Sequence, residues 1–175
     1  MISDNLKAVI RDVPDFPKPG ILFKDITPIL KDSVLCKQIV EEFALKLQNV
    51  QIDVIAGIES RGFLFGLMLA NKLGIPFIPI RKQGKLPFTK IQQPCELEYG
   101  SAILELHTDA IVAGQKVLIH DDLLATGGTV SAATRLIKEL NGEIAGYAFV
   151  ISLDFLEGRK YLETTSDTVI SLVSF

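Results

Sequence analysis

Residues 117–129 read Val117-Leu118-Ile119-His120-Asp121-Asp122-Leu123-Leu124-Ala125-Thr126-Gly127-Gly128-Thr129, and their order decides the fold. Lys116 to His120 reads as a buried strand. Two carboxylates follow, then a turn of small residues, then a helix from about Thr129 to Leu140 that stops at Asn141-Gly142. A helix N-terminus presents unpaired backbone N–H groups and the positive end of the helix dipole, which together favour a phosphate. Gly127 and Gly128 carry no Cβ, so the backbone can approach such a group closely, and Thr126 and Thr129 can add hydroxyl donors. No Lys follows the glycines, so this is not the nucleotide-binding P-loop, and the chain has no G-x-G-x-x-G. An anion beside a phosphate is unfavourable unless it has another task. Asp121 and Asp122 fit if they accept hydrogen bonds from sugar hydroxyls or hold a magnesium ion through water. A ribose 5-phosphate offers both a phosphate and a pair of hydroxyls. The plainer alternative is a solvated acidic turn before an ordinary helix.

The same alternation extends to both sides. Upstream, Val54 to Ile58 reads as a buried strand, Phe63 to Leu73 as a helix with Gly74 past its end, and Phe77 to Ile80 as a strand carrying a proline. Ala102 to Leu106 is a further strand, and downstream so are Ala145 to Leu153 and Thr168 to Val173. Strand and helix in alternation imply an α/β fold, a mostly parallel sheet with helices on both faces, whose ligands bind beyond the carboxyl ends of the strands. At the start, Ser3 can cap a helix bearing Leu6, Val9, Ile10 and Val13, and Pro14, Pro17, Pro19 and Gly20 force an irregular segment. A second helix is expected from Asp32 to about Gln48, with Leu35, Ile39, Phe43 and Leu47 on one face. Residues 81 to 98 show no clean period and hold Gly84, Pro87 and Pro94.

The 175 residues fit a single domain. With 48% hydrophobic and 22% charged residues the chain can bury a full core. A net charge of −3 argues against a general nucleic-acid binder. Cys36 and Cys95 are too few for a disulfide framework and read as reduced thiols. Asp4, Lys7, Arg11 and Asp12 leave no apolar signal core after Met1, and the longest apolar run, Phe63 to Ala70, is too short to span a bilayer. A soluble, cytoplasmic protein is expected, without nucleic-acid or membrane partners.

The acidic pair with its Thr-Gly-Gly-Thr turn resembles the phosphoribosyl pyrophosphate (PRPP) motif of the type I phosphoribosyltransferases. That resemblance implies that Asp121 and Asp122 contact the ribose hydroxyls. It also implies that the segment Leu123, Leu124, Ala125, Thr126, Gly127, Gly128 and Thr129 binds the sugar phosphate of PRPP or AMP. His120 stands where the family usually has an aliphatic residue, and it reads as a core histidine bonded to a backbone carbonyl.

Phe16-Pro17-Lys18-Pro19-Gly20-Ile21-Leu22-Phe23-Lys24-Asp25-Ile26-Thr27-Pro28 is similar to the N-terminal hood of the adenine-using branch of that family. By that likeness Leu22 and Lys24 offer backbone groups to the edge of adenine, and Phe23 packs on its ring. Residues 1–30 would form the hood. Gly57-Ile58-Glu59-Ser60-Arg61-Gly62 opens a helix after a buried strand, a position suited to a second anion. In the family this turn binds pyrophosphate, which nominates Ser60, Arg61 and Gly62. Arg81-Lys82-Gln83-Gly84-Lys85 is a basic cluster in an acidic chain, and Arg81, Lys82 and Lys85 would neutralise a leaving pyrophosphate. It opens a long aperiodic stretch typical of a lid, expected over 81–100. Family resemblance lets Arg81 reach the site of a neighbouring subunit in a homodimer. Leu97-Glu98-Tyr99-Gly100 matches the adenine-type lid ending, implying acid–base work for Glu98 and lid closure for Tyr99.

The implied reaction is purine salvage: adenine and 5-phospho-α-D-ribose 1-diphosphate become AMP and pyrophosphate, with Mg2+ carried by PRPP and water near Asp121 and Asp122 rather than by direct protein ligands. Other readings remain: a relative that uses hypoxanthine, guanine, xanthine or orotate; a non-catalytic PRPP sensor, which would need a basic surface; and a phosphoacceptor domain, in which the Gly-Gly turn has no place.

Overall fold

The computed structural model describes residues 1–97 and 100–175. Glu98 and Tyr99, expected to work at the lid, lie outside the described residues. Five of the strands build the body of one sheet: β3 (Val54–Ile58), β4 (Phe77–Lys82), β7 (Lys116–Leu124), β8 (Glu143–Ser152) and β9 (Val169–Ser174). The seven-stranded sheet runs β5-β6-β4-β3-β7-β8-β9, where β5 is Lys90–Leu97 and β6 is Gly100–His107. The order reverses at β3, which pairs in parallel with β4 on one side and β7 on the other. Such a switch point leaves a crevice at the strands' carboxyl ends. β5 and β6 form an antiparallel ribbon added to β4.

Two cores explain why the central strands are apolar on both faces. On one face α1 (Ile2–Val9), α2 (Ser33–Lys46) and α3 (Arg61–Leu73) bury Leu6, Ile39, Phe43, Phe65 and Leu69 against Ile55, Leu118 and Val150. On the other, α4 (Gly128–Glu139) buries Val130, Ala133, Leu136 and Ile137 against Ala56, Val117, Ile119 and Phe149. Asp32 caps α2 by accepting from the Val34 and Leu35 amides at 3.0 and 2.9 Å, and Gly74 closes α3 at φ 68° as expected. Among the described residues no helix is long and apolar enough to cross a membrane.

The differences from the sequence reading are local. α1 is capped by Met1 and ends at Val9, so Ser3 lies inside the helix and Val13 belongs to β1 (Arg11–Pro14). β1 pairs antiparallel with β2 (Leu22–Asp25) as a separate two-stranded sheet. The stretch read as aperiodic contains β5. Among its described side chains, Ile91 and Cys95 supply the inward apolar signal, and Pro94 breaks the pattern; an edge strand tolerates a proline because no ladder needs that N–H. β7 continues through Leu124, so Asp121 and Asp122 are the last part of the strand rather than a turn after it. A short helix, α5 (Gly158–Leu162), had no signal at five residues.

Candidate active site

A cavity of about 400 Å³ opens at the carboxyl end of the sheet, at the switch point. Its wall is the continuous segment Asp121 to Val130, faced by Ile58, Glu59 and Arg61 from the β3–α3 turn, by Lys82 from β4, and by Pro17 from the N-terminal hairpin. Cys95, Glu96, Ala102 and Leu104 of the β5–β6 ribbon close the remaining side.

The turn after β7 is built for close approach. Gly127 adopts φ 86°, a left-handed conformation that glycine takes without strain, and it is the residue just before α4. Ser131 returns both its amide and its hydroxyl to the Gly127 carbonyl, at 2.8 and 2.7 Å, which fixes the first turn of the helix. A Cβ on Gly128 would collide with the Glu96 carbonyl oxygen, so β5 packs directly over the loop. Gly62 plays a similar part across the cavity: a Cβ there would lie 2.7 Å from the His120 carbonyl oxygen and 3.1 Å from Asp121 Cα. Its absence lets α3 begin against β7.

The carboxylates are unequal. Asp122 is buried, and Arg61 Nε lies 3.0 Å from its Oδ2. The angles of that ion pair do not make a hydrogen bond, so Oδ2 keeps an unused acceptor position. Asp121 Oδ1 accepts the Asp122 amide at 2.8 Å. Burial raises both carboxyls above the ordinary range. The neighbouring Asp122 charge pushes Asp121 further up, whereas Arg61 pulls Asp122 down. A buried and a partly buried acid at one strand end, the buried one lacking a full set of hydrogen bonds, suit sugar hydroxyl donors or the water shell of a cation.

Three of the basic side chains around the site, Arg61, Arg81 and Lys90, are paired with acids. Glu59 accepts the Lys82 amide at 2.6 Å and takes Arg81 Nε and Nη2 at 3.3 and 3.4 Å. Arg81 also donates to the Lys85 carbonyl at 3.3 Å. Glu105, fully buried in β6, accepts Gly84 N at 3.1 Å, Gln92 Nε2 at 2.7 Å and Lys90 Nζ at 3.2 Å. Burial pushes its carboxyl up, but those donors more than offset this and hold it below the usual range. This buried anchor ties residues 84–92 to the ribbon. Glu59, Glu105 and Glu96 had no distinguishing sequence signal. Only the folded register brings Glu59 to Arg81, 22 residues away.

Of the residues nominated from sequence, Asp121 to Thr129, Arg61 and Lys82 line the cavity. Ser60 is the N-cap of α3 and Gly62 packs against β7, and neither lines the cavity. Arg81 and Lys85 are not among the lining residues. Phe23 is linked to the site through Arg61, whose guanidinium lies 4.9 Å from its ring centroid, and it meets Phe16 edge-on at 5.1 Å. Leu22 is half exposed. The Lys24 side chain points elsewhere: it pairs with Asp12 at 2.6 Å and sits 3.9 Å over the Phe175 ring.

Two residues differ from expectation or resolve an open question. His120 is a core residue, edge-on to Phe43 at 5.5 Å, but neither ring nitrogen has a hydrogen-bond partner. Burial lowers its pKa to about 4, with the Ala148 backbone pulling slightly upward, so it is neutral at pH 7 and far from an acid–base role. Cys95 faces the cavity yet is buried, and that burial pushes its thiol up despite the Ala102 backbone, Lys82 and Arg135; it is a poor nucleophile.

A doubly wound sheet with an acidic pair and a glycine turn at its switch point defines an α/β protein made to hold a sugar phosphate. Residues 29–173 match the phosphoribosyl transferase domain model. The chain is 51% identical to the adenine phosphoribosyltransferase of Cytophaga hutchinsonii over 175 residues, covering 100% of this chain and 97% of that one. The crystal structure of adenine phosphoribosyltransferase from Thermoanaerobacter pseudethanolicus superposes with a TM-score of 0.95 at 47% identity, covering 100% of both chains. The Saccharomyces cerevisiae enzyme, solved with an iminoaltritol bisphosphate and adenine, gives a TM-score of 0.90 at 43% identity, covering 98% of each. The chain belongs to the adenine phosphoribosyltransferases.

Proposed function

We propose that this chain converts adenine and PRPP to AMP and pyrophosphate, a purine-salvage reaction. The observation that carries the proposal is the unbroken wall from Asp121 to Thr129, with its acidic pair and its glycine turn on one cavity that Arg61 and Lys82 also enter. The yeast relative, solved with adenine, supports the choice of base.

In this reading the Ala125–Thr129 loop takes the 5-phosphate through backbone amides and threonine hydroxyls. Asp121 and Asp122 accept the ribose hydroxyls. Leu22 and Lys24 offer backbone groups to adenine, and Phe23, steadied by Arg61, packs on its ring. Holding the purine nitrogen in line behind the anomeric carbon removes much of the entropic barrier. As the bond to pyrophosphate breaks, Arg61, Lys82, Arg81 and Lys85, with the Ser60–Gly62 turn, stabilise the charge on the departing group. Glu98 manages the purine proton, and Tyr99 closes residues 81–100 over the site to exclude water.

The unused acceptor on Asp122 Oδ2, beside Asp121, fits the water shell of a cation brought by PRPP. Asp121 and Asp122 would hold Mg2+ through water; when bound it adds positive charge against the pyrophosphate oxygens. A homodimer is also proposed. Leu64, Leu67 and Met68 are 39%, 57% and 40% exposed and share one face of α3 at i, i+3 and i+4 spacing. Arg81 would complete the neighbouring site. Free, buried Cys36 and Cys95 fit a reducing compartment, and the proposed location is the cytoplasm.

The test is a competition assay. The purified chain receives PRPP and Mg2+ with adenine, hypoxanthine, guanine, xanthine and orotate together, and the nucleotides formed are separated. AMP as the dominant product is expected. Another nucleotide would overturn the base assignment, and none at all would point to a PRPP sensor.

A further inference from the structure

The glycine turn proposed to grip the phosphate rests on another glycine much later in the chain, Gly158. Gly158, the first residue of α5, is buried, and a Cβ there would collide with the Ala125 carbonyl oxygen. It would also lie 2.9 Å from the Thr126 carbonyl carbon and 3.0 Å from the Gly127 nitrogen. All three neighbours are backbone, so no side chain can swing aside. The contact is reciprocal: a Cβ on Gly127 would meet the Gly158 carbonyl oxygen at 3.4 Å. Gly158 is therefore required for space and not for an unusual φ.

The surface behind Gly158 does not yield either. Arg159 donates through Nη1 to the Val169 carbonyl at 2.8 Å and through Nη2 to Ser171 Oγ at 3.1 Å, which fastens α5 to β9. Leu162 is fully buried in the core beneath α4. Ahead of the helix, Leu153 N donates to the Leu124 carbonyl at 2.9 Å, joining this segment to the end of the phosphate strand. The loop's opposite flank, Gly128, is closed by Glu96 of β5. Residues 125–128 thus sit between two backbone walls. A loop whose amides must converge on one phosphate gains from being held this way, because its ordering cost is met before the ligand arrives.

We infer that Gly158 is a positioning residue for the 5-phosphate loop, with Arg159 as the brace that holds it there. This rests on the phosphoribosyl transfer reading, and it makes a narrower claim about which substrate suffers. A methyl at position 158 displaces Ala125, Thr126 and Gly127, so ligands that carry a 5-phosphate lose affinity. Adenine, held by the hood, does not.

The experiment compares the wild-type chain with Gly158→Ala and Arg159→Gln, measuring KM for PRPP, KM for adenine, ribose 5-phosphate binding by calorimetry, and thermal melting. For Gly158→Ala, KM for PRPP and the ribose 5-phosphate Kd are expected to rise about twentyfold with KM for adenine within about twofold. For Arg159→Gln the PRPP effect is expected to be about fivefold. A purely structural role would lower the active fraction and the melting temperature while leaving both KM values alone, and that result overturns the inference. Should Gly158→Ala fail to fold, Arg159→Gln decides: unchanged PRPP KM and ribose 5-phosphate affinity overturn it. A wild-type chain that neither makes AMP nor binds ribose 5-phosphate removes the functional reading itself, and with it this inference. A wild type that does both while Gly158→Ala behaves identically removes the inference alone.

Discussion

The two sides of the cavity proposed to take the 5-phosphate and the pyrophosphate are made differently. The 5-phosphate loop, Ala125 to Thr129, is backbone: glycines, helix-end amides, and walls at Glu96 and Gly158, with no cation in the loop itself. The opposite side is made of side chains, and three cations there have a resident acid. Arg61 pairs with Asp122, Arg81 with Glu59, and Lys90 with Glu105. A backbone cradle needs no rearrangement and suits a group present in both substrate and product. Cations that can return to a resident carboxylate suit a group that must be bound and then released, because the acids compete with it. On the proposed reading, the contrast teaches that a phosphate that stays and a pyrophosphate that leaves call for different kinds of binding.

The hardest test of the rigid half is Gly128→Val. Side-chain bulk between the loop and Glu96 is expected to lower kcat/KM for PRPP about 1000-fold, about 4 kcal/mol. Steady-state kinetics check it; a loss under tenfold would mean that the loop adapts. The foundation under that loop can be tested by acid. Above about pH 6.5 the His120 imidazole is neutral whether the chain is folded or not. Between about 6.5 and 4 the unfolded chain takes up a proton that the buried ring refuses, so stability falls as the pH drops, by about 3 kcal/mol at pH 4. His120→Leu should remove this share of the acid sensitivity. Denaturant unfolding at pH 7 and pH 4 compares the two proteins, and the carboxylate contributions cancel in the difference.

The proposed acid–base chemistry is probed by Glu98→Ala, expected to reduce kcat about 100-fold, about 2.7 kcal/mol, with little change in KM. Full turnover at saturating substrate would remove Glu98 as the proton manager. The smallest effect is expected from Glu59→Gln. It frees Arg81 from its resident acid and should change kcat/KM for PRPP about tenfold, about 1.4 kcal/mol, with a steeper dependence on salt. An unchanged value would show that the Glu59–Arg81 pair does not compete with pyrophosphate.

The two halves were not equally legible in the sequence. The phosphate loop announces itself, because its residues are contiguous and each local choice agrees with its neighbours: apolar strand, acids, glycines, helix. Val54–Ile58 and Gly74 were readable for the same reason. The pyrophosphate side depends on registers that no local pattern encodes. Glu59 meets Arg81 only because β3 and β4 run in parallel with Ile58 beside Ile80. Glu105 looks like any acid in an alternating strand until Gly84, Lys90 and Gln92 converge on it. β5 was missed because Pro94 interrupts a weak alternation, and α5 because five residues are too few to show a helical period. Gly158 was invisible for a deeper reason. Its role is the absence of an atom where two chain segments far apart in sequence, residues 125–127 and Gly158, meet.

The braces also bear on how this chain avoids sticking to others. An open sheet ends in strands with unpaired backbone groups, which invite another chain to add on. Here Tyr147 of β8 takes the Thr168 carbonyl, so the next carbonyl along, Val169, faces outward, and Arg159 occupies it. At the far edge Pro94 removes a donor and Arg135 takes up its carbonyl at 2.7 Å. Both borders of the sheet are therefore blunted by an arginine, and at one by a proline as well. Strand-to-strand aggregation is discouraged at either end, and self-association is left to the helical faces.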